Sequence, residues 1–175
     1  MRTRAALISS AIVVSVAGAL AFAAPAYAED TPVTVQVDAG QRAITVPGAV
    51  AFTPIQSSTV ARTITLAIGA VTVTDNLGGT AIWSVTAAAT NFAVAGTGGR
   101  SLGATSSYPS TAATVVGTAT VTPTAVANLT TGGTVQAATA VNGANSATWN
   151  PTISVVVPVG APVGTYASVI THSLI

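Results

Sequence analysis

From Thr31 onward, apolar and polar residues alternate in short runs, and clusters of Gly, Pro, Asn and Thr interrupt them. Residues two apart in an extended chain share a face, so each run predicts a half-buried strand. The runs are VTVQV (33–37), RAITV (42–46), VARTITLAI (60–68), AVTVTD (70–75), AIWSVTAA (81–88), NFAVA (91–95), ATVVGTATVT (113–122), GTVQAATAV (133–141), TISVVVP (152–158) and TYASVITHSLI (165–175). Between them fall PGA, NLGG, GTGG, TTGG, NGAN and PVGAPVG, which are turn chemistry. Helical spacing is absent after residue 28. The expected fold class is all-β: a single antiparallel β-sandwich domain, Greek-key-like, following a cleaved signal peptide.

Some runs carry finer detail. Ile64, Leu66 and Ile68 share one face, while Val71 and Val73 have the opposite parity. A period of two changes phase only across an extra residue, so Gly69 or Ala70 should mark a bulge or tight turn. TISVVVP puts Ile153, Val155 and Val157 on one face and Val156 on the other, the pattern of a strand covered on both sides. Pro158 then ends the ladder. Residues 96–111, GTGGRSLGATSSYPST, read as a long polar loop of the length that often carries function. Thr118, Thr120 and Thr122 form a T-x-T run, without the regular repeat that binding to an ordered surface such as ice would need.

The N-terminus obeys different rules. MRTR is a short basic start, AALISSAIVVSVAGALAFAAP an uncharged apolar run, and AYA at 26–28 a small-x-small cleavage pattern. These features predict a secretory signal peptide over residues 1–28, cut after Ala28. Residues 29–175 are then one domain with one core. No second apolar run reaches the length of a spanning helix, so no transmembrane segment is expected in the mature chain. The expected location is secreted, extracellular and cell-wall associated.

Charge narrows the partners. Beyond the signal, the acids are Glu29, Asp30, Asp38 and Asp75, the bases are Arg42, Arg62 and Arg100, and lysine is absent. Three dispersed arginines cannot form the basic stripe that displaces counterions from phosphates, which excludes nucleic acid. The same scarcity excludes a polybasic membrane patch. The chain has no cysteine, so burial and backbone ladders must hold the fold outside the cell. No LPxTG-like sorting pattern follows THSLI, and attachment is expected to be non-covalent.

Catalytic chemistry finds few residues to use. Glycoside hydrolysis needs two carboxyls flanking the bond. Glu29 and Asp30 sit beside the cleavage point, and nothing marks Asp38 and Asp75 as partners. His172 is the one histidine, with no acid near it in sequence, so Ser-His-Asp chemistry and a zinc site both lack members. No enzymatic activity, metal or cofactor is expected. Asp75–Asn76 reads as a turn cap rather than a calcium site, His172 as a packing residue, and NLT at 128–130 as a glycosylation pattern.

The aromatics are more informative. Trp83 and Val85 share a strand face with Ala81 and Ala87, and Tyr166, Ser168, Ile170, His172 and Leu174 share a face of the last run. Each segment places a ring two residues before an aliphatic: Trp83–Val85 and His172–Leu174. Trp83 reads as a core residue that can shape an adjacent groove. Trp149, in SATWNPT, reads as a partly exposed ring able to stack on the apolar face of a sugar.

Together, TDNLGGTAIWSVTA and the downstream ATWNP and SVVVPVGAPVGTYASVITHSLI resemble the WxL domain of bacterial surface proteins. That family pairs a first W-x-L with a C-terminal Y-x-x-x-(L/I/V)-T-W-x-L, and YASVITHSL matches the latter at Tyr166, Ile170, Thr171 and Leu174. Val85 stands where the first motif has Leu, His172 where the second has Trp, and the Pro that usually follows is missing. The resemblance covers roughly residues 60–175. It implies a secreted cell-surface protein held non-covalently to cell-wall glycan or peptidoglycan, beside partner surface proteins. The binding residues it implies, with Trp149 added from the aromatic pattern, are Trp83, Val85, Trp149, Tyr166, Thr171, His172 and Leu174. The alternative is a structural or adhesive subunit that assembles with itself or another surface protein by strand pairing, without direct glycan binding. Either way, the two motif strands should lie side by side.

Overall fold

The computed structural model describes residues 32–95 and 99–175, and the expected signal peptide lies outside the described residues. Contacts divide the chain into a unit of residues 1–36 and a unit of residues 37–175. In the first, residues 32–36 are exposed and form no strand. The alternation in VTVQV therefore gives β propensity without a ladder, and propensity alone does not make a strand.

Among its described residues the second unit has eleven strands and no helix, so the fold is all-β. They are β1 (Arg42–Thr45), β2 (Arg62–Ala67), β3 (Val71–Asp75), β4 (Trp83–Ala89), β5 (Ala93–Val94), β6 (Thr105–Ser107), β7 (Thr114–Pro123), β8 (Gly133–Trp149), β9 (Thr152–Val157), β10 (Tyr166–Ala167) and β11 (Ile170–Leu174). All pair antiparallel. None of the described residues forms a helix long and apolar enough to cross a membrane.

The main sheet is organised around β8, which is 17 residues long. Strand β7 follows one of its edges. Along the other, β3 pairs the C-terminal part of β8, from Val71 opposite Trp149 to Asp75 opposite Asn145. Strand β4 pairs the N-terminal part, from Trp83 opposite Ala138 to Ala87 opposite Gly133. Thus β3 and β4 behave as one strand interrupted by residues 76–82. The handover coincides with left-handed backbone in β8, at Ala140 (φ 49°) and Gly143 (φ 75°), where bulges bend a strand. Outside them, β1 pairs β3 and β11 pairs β4. A second sheet has the order β2-β9-β6, and β5 pairs β10 separately.

One apolar core joins the sheets. Val71, Val73, Trp83, Val85, Ala87, Ala147 and Trp149 come from the main sheet, and Ile153, Val155 and Val157 from β9. Alternation drives this: β3 and the first five residues of β4 switch strictly between buried and half-buried. The phase change at Gly69 is a tight turn, with φ 95°, that carries the chain from β2 in one sheet to β3 in the other.

Two expectations need correction. Strand β9 is bordered by β2 and β6, but only one of its faces is covered, since Val156 is 40% exposed. Residues 96–111 are not simply a polar loop. They contain β6, and Tyr108, 1% exposed, is held by reciprocal 2.8 Å backbone bonds to Val126.

Candidate functional site

The final strand lies beside the indole-bearing one. In the β4–β11 ladder Leu174 stands opposite Val85 and His172 opposite Ala87. Ser84 and Ile175 exchange backbone bonds of 2.8 and 2.9 Å just beyond. The ladder places both ring-plus-aliphatic pairs on the inner face, because Trp83 and Val85 are buried and His172 and Leu174 are packed inward.

Beneath that ladder runs a chain of rings. Trp149 Nε1 donates to Tyr108 Oη at 2.8 Å, and Tyr108 Oη lies 3.3 Å from His172 Nε2. The Tyr108 and His172 rings meet edge-on, with centroids 5.7 Å apart. An indole N–H only donates, so Tyr108 is the acceptor there, and its own hydroxyl proton is available to His172 Nε2. Burial pushes the Tyr108 phenol up to about 12, against the Trp149 bond that lowers it. Burial also lowers the His172 pKa. Both groups are neutral near pH 7, which matches a packing role for His172.

A second polar chain fastens the 76–82 excursion. Arg42 Nη2 meets Asp75 Oδ2 at 2.9 Å and also donates to the Ala81 carbonyl at 2.8 Å, while Nη1 donates to Ile82 O at 3.2 Å. Asn145 Nδ2 reaches Asp75 Oδ2 at 3.5 Å, and Trp83 Nε1 donates to Asn145 Oδ1 at 3.2 Å. Burial raises the Asp75 pKa, but the bonds from Arg42, Leu77 N–H and Asn145 and the Arg42 charge outweigh it, so the net shift is downward. Leu77 N–H on Asp75 Oδ1 is the expected turn cap. Among the described residues no cluster of three or more His, Cys, Asp or Glu could hold a metal ion.

The candidate residues therefore divide. Trp83, Val85 and Trp149 are buried, Tyr166, His172 and Leu174 are half-buried, and Thr171 is exposed. Trp149 corrects the expectation of a partly exposed ring. It is 1% exposed, because β8 extends through its position instead of stopping at 141. An indole so enclosed has no face open to a sugar. Tyr166 stands apart from the ring chain, donating to Pro162 O at 2.9 Å and receiving Arg100 Nε at 3.3 Å.

What sequence reading missed is the reverse face of the same strands. The positions alternating with the buried ones are Ser84 and Thr86 on β4, Thr171 and Ser173 on β11, Thr72 and Thr74 on β3, and Ser146 and Thr148 on β8. Thr72 and Thr148 are joined through their hydroxyls at 3.0 Å. No charged residue interrupts these positions. Ile82, Val169 and Ile175, each at least 65% exposed, border the β4–β11 part. The signal was present as the polar half of each alternating run.

An apolar cleft of about 960 Å³ opens among the inward-facing residues of β2, β9 and β11. Ile64, Leu66 and Ile68 form one wall with Ile153, Val155 and Val157, and His172 and Ile170 reach it from β11. Residues 46–58 also line it but, among the described residues, make no backbone bond to β2. No family model matches the chain, and neither curated proteins nor solved structures show a match to it.

Proposed function

We propose that the chain is a secreted, non-enzymatic bacterial cell-surface module that holds to wall peptidoglycan without a covalent bond, through a WxL-like domain. The observation that carries this is the β4–β11 ladder, which sets the two family-like segments side by side with Leu174 opposite Val85. Their rings and aliphatics make the inside of the unit, and the alternating hydroxyls make its outside. A neutral face of Ser and Thr suits an uncharged polysaccharide, whose hydroxyls both donate and accept hydrogen bonds. Trp83, Trp149, Tyr108 and His172 then act as a rigid backing for that face.

Sedimentation with purified sacculi tests the proposal. The paired substitution Thr171→Arg and Ser173→Arg changes exposed side chains and leaves the core intact. It should reduce retention on the order of tenfold, about 1.4 kcal/mol. Retention no better than on an inert insoluble support, or equal retention of both proteins, would contradict glycan binding by this face.

A second role is favoured by open strand edges. Among the described residues strand β7 pairs only β8, and its Val116 is 67% exposed. With no lysine in the sequence to blunt such edges, the chain is suited to assembly by strand pairing.

A further inference from the structure

We infer that the apolar cleft among β2, β9 and residues 46–58 binds a free long-chain carboxylate. The alkyl chain lies along Ile64, Leu66 and Ile68, and the carboxylate meets the Arg62 guanidinium. The site shares no side chain with the hydroxyl face and goes beyond attachment to the wall.

Three observations converge on it. The first is size and lining. Protein interiors are close-packed and hold few voids larger than a water molecule. A cleft of about 960 Å³ is far outside that limit and falls near the top of the roughly 300–1,000 Å³ range of small-molecule sites. Its walls are side chains that alternation turns inward, Ile64, Leu66 and Ile68 facing a second row of Ile153, Val155 and Val157. Antiparallel pairing keeps the rows abreast, with Ile64 opposite Val155 and Leu66 opposite Ile153. From Arg62 to Ile68 the row runs roughly 20 Å, which suits one extended alkyl chain better than a compact ring.

The second is charge. Arg62 lies two residues before Ile64, has the same parity, and lines the cleft at an exposed end of the row. Among the described residues no Asp or Glu lines the cleft, and Arg62 forms no ion pair. Other polar rings of the lining are engaged. His172 Nε2 lies 3.3 Å from Tyr108 Oη, and Tyr166 donates to Pro162 O at 2.9 Å and receives Arg100 Nε at 3.3 Å. A single guanidinium at the end of an apolar trough calls for a single anionic head, and its forked N–H donors match a carboxylate.

The third is access. Residues 46–58 follow β1 and are fastened at their far end, where Ser57 Oγ donates to Ala161 O at 2.9 Å and Gly160 N–H to Ser58 O at 2.8 Å. Between these ties, residues 48–56 make no backbone bond among the described residues. Phe52 meets Phe92 edge-on there, with ring centroids 6.2 Å apart. A segment tethered at both ends and held between them by apolar contact opens locally at low cost, so a ligand enters without breaking a ladder.

Isothermal titration calorimetry on the secreted chain tests this, with laurate below its micellar concentration as the probe. Laurate should bind at one-to-one stoichiometry. Dodecanol should bind about tenfold more weakly for want of a charge, and butyrate not measurably for want of a chain. Arg62→Gln changes an exposed side chain and should weaken laurate about tenfold while leaving dodecanol unchanged. Ile64→Trp adds bulk to the cleft. It should abolish laurate binding and keep the urea midpoint, because an open cleft accepts bulk that a close-packed core does not.

A wild type that does not bind laurate would overturn the site. Butyrate bound as tightly as laurate would reduce it to an ion pair at Arg62, and equal laurate affinity in Arg62→Gln would remove the carboxylate; either result contradicts the inference. A lower urea midpoint for Ile64→Trp would show the cleft to be closed to ligand and overturn it as well. Capture by phosphatidylglycerol vesicles without laurate binding would make a membrane surface the partner, again against the inference.

Discussion

Burial holds the His172 imidazole below its ordinary pKa near 6.5, and the direction of that shift determines how stability responds to acid. The unfolded chain takes up the proton first, so below about pH 6.5 protonation favours the unfolded state. Stability contributed by the neutral ring is therefore fully present above the unfolded value and declines as pH falls toward the folded one. A thermal melt at about pH 5.5 should show a lower midpoint than one at about pH 7.5. His172→Gln, which still offers an acceptor to the Tyr108 hydroxyl, should remove that difference. A wild-type midpoint that does not move would mean the ring is not enclosed as described. Asp75 works in a lower window, because its pKa is depressed and its contribution is lost only below the ordinary carboxylate range near 4. The two groups are separable by pH alone. Residue chemistry was partly legible in the sequence: the packing expected of His172, between Ile170 and Leu174, has its counterpart in the edge-on contact with Tyr108. That partner was not legible, because Tyr108 lies in a segment whose Gly, Ser and Thr content signals a loop. Neither does sequence show that a reciprocal bridge to Val126 turns that tyrosine inward.

Strands as elements were far more readable than their limits. Strict alternation in β3 and β4 revealed both the strands and their buried faces, and the phase change at Gly69 correctly marked a turn. VTVQV at 33–37 has the same alternation and is not a strand, since alternation reports a preference and a ladder needs a partner. The length of β8 was hidden for a related reason. NGAN at 142–145 has turn chemistry, yet here it bends a continuing strand, with Gly143 supplying the positive φ. That one misreading placed Trp149 at a loop junction and made it appear available to sugar. Arg42 is the element-scale counterpart. Its guanidinium bonds Asp75, Ala81 and Ile82 and so ties β1 to both ends of the excursion that separates β3 from β4. Arg42→Ala leaves Asp75, 2% exposed, without its cation. The expected loss is about 3 kcal/mol, read as a lower urea midpoint, with a smaller loss for Asp75→Asn. A loss under about 0.5 kcal/mol, the range of ordinary surface changes, would show that the pair does not hold the excursion.

At the largest scale, the unit of residues 37–175 packs its sheets around one apolar core. The hydroxyl face of the main sheet is the surface proposed to meet a neutral polymer. The all-β class was readable because nearly every run after residue 40 has a period of two, whereas sheet order was not. Nothing local specifies that β3 and β4 share one edge of β8, whereas the paired motifs led to the expectation that β4 and β11 lie side by side, as they do. Those pairings come from matching inner faces across the core. The central claim is attachment to the envelope without a covalent bond, and washing intact producing cells tests it most directly. The protein should stay with cells in buffer and leave them, full-length, in a mild denaturant wash without digestion of the wall. Protein found wholly in the culture medium, or freed only when a muramidase cuts the peptidoglycan, would contradict the account.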